Sequence, residues 1–214
     1  MAPSCSRRST RRPFPPSAII FDVGRVIVPV DPRRVFSILH SKKIQSPEKL
    51  WAAIQLDPLW KDWQEGRVSP RDWCAQITRR FRLRISFAQF CRAWNSVILP
   101  APILPDSLFA RLSRSCRLVL LSNTDPLHVE YELPRFTFMR YFPARIFSCR
   151  LGASKPEPKI YQAAIYAAGT PPARILYVDD VPAYVRAGRR MGLDAIRFTS
   201  PRQLTAALRL RSLL

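Results

Sequence analysis

The stretch that decides the fold is Ile19-Ile20-Phe21-Asp22-Val23-Gly24, a short apolar run that ends at a carboxylate. Such a run is typical of a buried parallel strand. The pattern recurs in Leu120-Leu121-Ser122-Asn123-Thr124 and in Ile175-Leu176-Tyr177-Val178-Asp179-Asp180, while Gly152-Ala153-Ser154-Lys155-Pro156-Glu157 places a lysine just before a helix. Ligands of open α/β sheets bind outside the carboxyl ends of the strands. The four segments therefore predict a site for an oxyanion and a divalent cation.

Strands alternate with helices through the second half of the chain. The helical spacing is clearest over residues 157–168 and 182–191, and Ser200-Pro201 is a typical start of a last helix. Short apolar segments predict strands at 18–23, 117–121, 145–147, 175–178 and 195–198. This order predicts an α/β fold, a parallel sheet with helices on both faces.

Residues 31–104 differ, because they contain helix starts and no convincing strand. Ser46-Pro47 and Ser69-Pro70 each place a capping hydroxyl before a proline, and Ser86 with Gln89 matches a capping box. We expect four helices that form a small all-helical cap. Its aromatic residues should form the cap core, with one or two lining a substrate pocket: Trp51, Trp60, Trp63, Trp73, Phe81, Phe87, Phe90 and Trp94. The proline-rich stretch 99–105 would return the chain to a core made of 18–30 and 105–214.

The chain carries a net charge of +20, most of it from arginine. Clustered arginines could bind nucleic acid by neutralising phosphates. The sequence shows no arginine stripe interleaved with aromatics, so we expect solvated arginines and no nucleic-acid partner. The positive potential would still attract anionic substrates. Residues 1–17 are arginine-rich and lack acids, which predicts a disordered basic tail, with an organelle transit segment as the alternative.

The five cysteines form no CxxC pair, which argues against a disulfide framework and a zinc site and favours a reducing, cytoplasmic compartment. We interpret His40 and His128 as structural or surface residues. No apolar run approaches the roughly 18 residues that a membrane span needs.

Together the four segments resemble the motifs of the haloacid dehalogenase-like (HAD) hydrolase superfamily, over about residues 18–198. The resemblance rests on Phe-Asp-x-Gly-x-Val, Leu-Ser-Asn-Thr, Gly-x-x-Lys-Pro-Glu-x-x-x-Tyr and Val-Asp-Asp in this order. They are similar to the branch with a small helical cap, which includes sugar-phosphate phosphatases and the N-terminal domains of soluble epoxide hydrolases. The resemblance implies a Rossmannoid core with an inserted cap.

The resemblance also implies a Mg²⁺-dependent phosphatase of a small phosphorylated metabolite such as a sugar phosphate. Asp22 would be the nucleophile that forms an aspartyl-phosphate. Asp22, Asp179, Asp180 and the backbone carbonyl of Gly24 would hold Mg²⁺. Ser122, Asn123 and Lys155 would bind the phosphoryl group, and Lys155 would stabilise its charge.

Three positions depart from the family pattern. Gly24 replaces a second Asp that serves as general acid and base, a function worth about 10² to 10⁴ in rate. The branch itself shows a similar Asp-x-Gly-x-Val, so turnover is not excluded. Arg25 stands where the family often has Gly or Asn, and it would either bind a substrate anion or face solvent. Tyr184 stands where many members have Asn.

Two other functions stay open at this point. One is a catalytically weak HAD fold that serves as a binding or regulatory protein, which Gly24 motivates. The other is a 2-haloacid dehalogenase, in which Asp22 would attack carbon without a metal. The pair Asp179-Asp180 argues against the latter, because two uncompensated acids would repel a carboxylate substrate.

Overall fold

The computed structural model describes residues 15–38 and 46–214 of the 214-residue chain. Predictions about residues 1–14 and 39–45, which include most of the basic tail and His40, lie outside the described residues. The described cysteines, Cys74, Cys91, Cys116 and Cys149, are all free thiols.

The core is a five-stranded parallel sheet with the strand order β3-β2-β1-β4-β5. Its strands are β1 (Ala18–Phe21), β2 (Arg117–Ser122), β3 (Ala144–Phe147), β4 (Ile175–Asp179) and β5 (Asp194–Arg197). Strand β1 lies at the centre, paired with β2 on one side and β4 on the other. The predicted α/β fold with a parallel sheet is confirmed.

Alternate residues of β1 face opposite sides of the sheet, as the two-residue period of a strand requires. Ile19 and Phe21 pack in a core with helices α6 (Asp106–Leu112) and α10 (Pro201–Arg209). Ile20 packs on the other face with helices α8 (Pro158–Ala168) and α9 (Pro182–Arg190). Both faces are therefore covered, which explains why the strands are apolar throughout.

The strands differ from the predicted ranges by one or two residues at their ends. Strands β2 and β4 continue to Ser122 and Asp179, because these residues still pair with Phe147 and Arg197. Hydrogen-bonded pairing continues past the point where the apolar pattern stops. The two polar residues are therefore part of the sheet itself.

Five described helices lie between β1 and α6 and form the cap: α1 (Arg33–Ile38), α2 (Pro47–Gln55), α3 (Trp60–Gln64), α4 (Pro70–Phe81) and α5 (Phe87–Asn95). We expected four. Helices α1 and α3 contain only 6 and 5 residues, too few to show a helical period. Trp63, Trp73 and Trp94 are buried together in the cap core, with ring centroids 5.6 to 6.1 Å apart.

The two segments that join the cap to the core run side by side. The N–H of Asp31 donates to Val97 O at 2.8 Å, and the N–H of Leu99 donates to Pro29 O at 3.0 Å. The remaining described elements are a π-helical turn (His128–Glu132), 3-10 turns (Leu133–Arg135, Thr137–Tyr141 and Pro172–Arg174) and helix α7 (Ser148–Leu151). Within the described ranges, every helix is too short or too polar to cross a lipid bilayer.

Candidate active site

Three strand ends bring predicted site residues to one edge of the sheet. Asp22 directly follows β1, and its backbone N–H donates to Val178 O at 2.9 Å. Ser122 and Asp179 are the last residues of β2 and β4. Since the three strands are parallel neighbours, their carboxyl ends lie side by side.

Lys155 reaches this edge from the loop before α8 and joins two of the acids. Its Nζ lies 2.7 Å from Asp22 Oδ1, 2.7 Å from Asp179 Oδ2 and 3.2 Å from Leu121 O. Only 3% of the residue is exposed. Burial disfavours the ammonium, but the two carboxylates outweigh it and raise the pKa of Lys155 above its ordinary value. The lysine is therefore a fixed buried cation.

Asp22 is a buried acid that lies beside two other acids. Burial raises the pKa of Asp22 to about 7, Lys155 opposes the rise, and Asp179 and Asp180 add to it. Burial likewise raises the pKa of Asp180, against the pull of Arg25. One lysine thus does not neutralise the negative charge gathered at this edge.

The three acids form a group with the chemistry of a divalent-cation site. One side-chain oxygen from each of Asp22, Asp179 and Asp180 lies within 4.8 Å of the other two. Carboxylate oxygens are ligands that Mg²⁺ prefers. Gly24 lines one cavity together with Asp22 and Asp180. The donor set, and the excess negative charge on it, fit a bound Mg²⁺.

Tyr177 supports Asp179 from inside the sheet, and the sequence analysis did not identify it. Its hydroxyl donates to Asp179 Oδ2 at 2.5 Å, and the N–H of Val181 donates to Oδ1 at 2.8 Å. Asp179 is completely buried, so these bonds and Lys155 fix its orientation. The signal in the sequence was a tyrosine two residues before the acid, since residues at this spacing share one face of a strand.

Asn123 holds Lys155 by its backbone. Its side-chain oxygen accepts from the Lys155 N–H at 2.7 Å, and its Nδ2 donates to Lys155 O at 3.0 Å. Tyr184 stands where many family members have Asn. Its hydroxyl accepts from Asn123 Nδ2 at 3.4 Å. The Lys155 ammonium also lies 5.0 Å from the centre of the Tyr184 ring. Asn123 lines a cavity beside Ser122, but its side-chain hydrogen bonds go to the Lys155 backbone and to the Tyr184 hydroxyl.

Arg25 lies at the edge of the site in the left-handed backbone region, with φ of 61°. Its Nε is 3.1 Å from Asp180 Oδ2, while 65% of its side chain remains exposed. The guanidinium therefore contacts an acid of the site and is otherwise exposed to solvent, while binding of a substrate anion by Arg25 stays a prediction.

A cavity of about 230 Å³ contains the strand ends, and a second cavity of about 360 Å³ adjoins it under the cap. The two cavities share six of their lining residues: Arg25, Gln55, Trp60, Gln64, Asn123 and Thr124. Trp51 lines the second cavity only. Of the predicted cap aromatics, Trp51 and Trp60 thus line these cavities. Gln55 and Gln64 line both cavities as well, and the sequence analysis did not identify them.

The far wall of the second cavity is a buried charged cluster that joins core and cap. His128 Nδ1 lies 2.8 Å from Asp125 Oδ2, and Trp94 Nε1 of α5 donates to the same oxygen at 3.0 Å. Burial would lower the pKa of His128, but Asp125 more than compensates and raises it above the ordinary value. His128 is therefore a structural residue of the core–cap boundary.

With this geometry in hand, comparison with known proteins identifies the family. The family model described as haloacid dehalogenase-like hydrolase matches residues 78–192, more than half of the chain. The chain belongs to this family. The match includes Ser122, Lys155, Asp179 and Asp180, while Asp22 and most of the cap precede it.

Curated relatives and solved structures agree with the assignment. D-ribitol-5-phosphate phosphatase of Bacteroides thetaiotaomicron is 24% identical over 84% of this chain and 90% of its own. A phosphorylated carbohydrates phosphatase of Thermotoga maritima is 21% identical over 84% of this chain and 83% of its own. A HAD family enzyme of B. thetaiotaomicron, crystallised with magnesium and inorganic phosphate, superposes with a TM-score of 0.74 at 24% identity, over 86% of this chain and 95% of its own.

As a HAD-like hydrolase, the protein combines the family fold with an altered first motif. Asp22, Lys155 and the two later acids, Asp179 and Asp180, all lie at one sheet edge. The second acid of the first motif is absent, because position 24 is glycine. The question for function is what the remaining groups can accomplish without it.

Proposed function

We propose that the protein is a Mg²⁺-dependent phosphatase that hydrolyses a small phosphorylated sugar or polyol through an aspartyl-phosphate on Asp22. The observation that carries this proposal is the buried group of Asp22, Asp179 and Asp180 with Lys155 bridging two of them at 2.7 Å. Three acids with one lysine leave an excess of negative charge that suits a divalent cation. An anionic substrate needs that cation before it can approach a carboxylate nucleophile.

In the first step, an oxygen of Asp22 attacks phosphorus and the bond from phosphorus to the leaving oxygen breaks. In the second, water attacks phosphorus and releases a proton to the surrounding water, the bond from phosphorus to Asp22 breaks, and inorganic phosphate leaves. Lys155 stabilises charge on the transferring group, and Ser122 donates to a phosphoryl oxygen. Asp22, Asp179, Asp180 and the Gly24 carbonyl would hold Mg²⁺, which would polarise the phosphoryl oxygens and offset the repulsion with Asp22.

The glycine at position 24 sets which substrates are turned over well. No carboxylate at this position protonates the leaving oxygen, so that proton comes from water. Substrates whose leaving oxygen is stable as an anion then lose least. An anomeric sugar phosphate meets this requirement better than a phosphate on an alkyl hydroxyl.

The lining of the second cavity suits a polar, uncharged leaving group. Gln55, Gln64 and the Asp125 carboxylate offer hydrogen-bonding groups, and Trp51 and Trp60 offer flat apolar faces. Hydroxyl groups on a carbon chain or ring match such a lining. The two curated relatives are named as phosphatases of a sugar alcohol phosphate and of phosphorylated carbohydrates, which supports the same substrate class.

The test is phosphate release from a panel of sugar phosphates, polyol phosphates, nucleotides and p-nitrophenyl phosphate. Each is assayed with Mg²⁺, with EDTA, and with Mg²⁺ added back after EDTA. Release that requires Mg²⁺ and favours sugar or polyol phosphates is expected. A preference for nucleotides would overturn the substrate class, and undiminished release in EDTA would overturn the metal requirement.

A second candidate is a HAD-fold binding protein without turnover, which Gly24 favours. It predicts no phosphate release from any substrate of the panel. In that case, calorimetry with inorganic phosphate and Mg²⁺ would test whether the site still binds its ligands. Chloride release from 2-chloropropionate without metal would instead support a dehalogenase.

A further inference from the structure

A buried carboxylate of the cap, Glu65, has no part in the mechanism proposed above. It directly follows α3, and only 2% of its side chain is exposed. Its Oε1 accepts from Ser154 Oγ at 2.6 Å, and its Oε2 lies 2.6 Å from a guanidinium nitrogen of Arg67. A buried charge is costly unless it is paired and hydrogen-bonded. Glu65 therefore has a defined orientation, directed at the core.

The partner in the core is the residue before the site lysine. Ser154 and Lys155 are adjacent in the loop 152–157. The same loop is held to the cap at a second point, since Lys61 Nζ of α3 lies 2.7 Å from Glu157 Oε1. From the core side, Asn123 binds the backbone of Lys155. The loop is thus fixed between the end of α3 and the end of β2.

The end of α3 contacts the core closely on both sides of Glu65. Ser148 Oγ donates to Gln64 O at 2.7 Å. A Cβ atom on Gly66 would lie 2.0 Å from the carbonyl oxygen of Cys149. Only a docked cap can bring the Glu65 carboxylate to Ser154, so this bond reports cap docking to the lysine loop.

We infer that Glu65 is a positioning residue for Lys155: through Ser154, it makes docking of the cap a condition for correct placement of the ammonium between Asp22 and Asp179. This inference rests on the proposed function where it concerns catalysis, because it assigns Lys155 a part in phosphoryl transfer. Its structural half, that Glu65 orders the loop 152–157, is independent of turnover. A displacement of about 1 Å in a catalytic group can cost roughly 100-fold in rate.

The cap provides a matched control in Asp57, a second buried carboxylate. Asp57 accepts from the N–H of Leu59 at 3.0 Å and from Gln76 Nε2 at 3.2 Å, and it pairs with Arg80. These partners all belong to the cap. Loss of Asp57 therefore disturbs the cap without removing a bond to the lysine loop.

The experiment compares Ser154→Ala, Glu65→Ala, the double variant and Asp57→Ala by steady-state kinetics with p-nitrophenyl phosphate and by hydrogen–deuterium exchange. We expect Ser154→Ala and Glu65→Ala each to lower kcat roughly 10-fold with KM changed less than about twofold, as for an interaction used in the transition state. The kcat of the double variant should be no lower than that of the less active single variant, because each single variant already removes the Glu65–Ser154 hydrogen bond. Exchange in residues 152–157 should rise in these three variants and stay at the wild-type level in Asp57→Ala.

Unchanged kcat and exchange in Ser154→Ala, which retains Glu65 with Arg67 and is the mildest change, would overturn the inference. Additive losses in the double variant, or an equal rise of exchange at 152–157 in Asp57→Ala, would also overturn it. If the wild type hydrolyses nothing, the proposed function fails, and the exchange data still decide whether Glu65 orders the loop.

Discussion

Asp22 and Gly24 are two residues apart, and together they define the chemistry available to this protein. Lys155 Nζ lies 2.7 Å from Asp22 Oδ1, so the proposed nucleophile has a cationic neighbour. Gly24 has no side chain with which to move a proton. Under the proposed mechanism, the site therefore supplies a nucleophile and a cation, but position 24 supplies neither an acid for the leaving oxygen nor a base for the attacking water.

Asp22→Asn should lower the rate of phosphate release by roughly 10³-fold or more, because an amide is not a nucleophile and forms no aspartyl-phosphate. The substitution is nearly isosteric, so the circular dichroism spectrum should match the wild type. Asp106→Asn, at the start of α6, is the control and should retain activity. Undiminished hydrolysis in Asp22→Asn would exclude the covalent mechanism.

Gly24→Asp should restore a proton donor and raise kcat/KM for an alkyl phosphate relative to p-nitrophenyl phosphate by about 10²-fold. A Cβ on Gly24 would lie 3.3 Å from Val30 Cγ2, so the valine must yield by a few tenths of an ångström. Gly24→Asn is the control, because it has nearly the same shape but no acidic proton to transfer to the leaving oxygen. Equal ratios for the two variants would show that position 24 cannot supply the acid.

At the scale of elements, the contact between the end of α3 and the start of α7 positions the cap on the core. Gly66 has a φ of +71°, and its α-carbon faces the Cys149 carbonyl without space for a side chain. Two requirements, a left-handed backbone and a close approach, therefore coincide at one residue. Short helices such as α3 depend on such tertiary contacts, since five residues are too few to be stable alone.

Gly66→Ala should destabilise the protein more than Gly169→Ala does. Both glycines have left-handed φ, which costs a side chain about 1 to 2 kcal/mol. Gly169 has no atom within 4 Å of the added Cβ, whereas Gly66 meets a backbone oxygen. Overpacking should add about 1 to 3 kcal/mol in Gly66→Ala. Urea unfolding measures both, and equal losses would show that the α3–α7 contact yields freely.

At the scale of the whole molecule, cap and core are joined on two sides by hydrogen bonds to buried carboxylates. Glu65 binds Ser154 on one side, and Trp94 binds the Asp125–His128 pair on the other. The second cavity reaches from Trp60 to this pair. The Asp125–His128 pair therefore both lines this cavity and takes part in a contact between cap and core.

The Asp125–His128 pair should make stability depend on pH. The folded pKa of His128 is raised, so its contribution is full below the unfolded value of about 6.5 and is lost as pH rises through the folded value. The urea midpoint should fall between pH 6 and pH 9 by more in the wild type than in His128→Gln. His40→Gln, the other histidine of the chain, is the control. The same pH slope in His128→Gln and wild type would contradict this account.

The sequence by itself determined the parallel sheet, the inserted helical cap and the four segments that carry the site residues. These follow from local signals: apolar runs that end at Asp22, Ser122 and Asp179, and Ser-Pro or Ser-x-x-Gln starts of helices. Such signals fix an element because the period and the cap lie within a few residues of each other. Short helices such as α1 escaped this reasoning, because six residues show no period.

Only the tertiary structure decided which groups meet. Lys155 and Asp22, which the family resemblance placed in one site, are 133 positions apart, and Ser154 and Glu65, whose contact no motif predicted, are 89 apart. The hydroxyl of Tyr177 beside Asp179 and the Asn123 amide on the lysine loop likewise depend on strand order and cap docking. A contact across such a distance in the chain depends on how whole elements pack, so no pattern within a single segment encodes it.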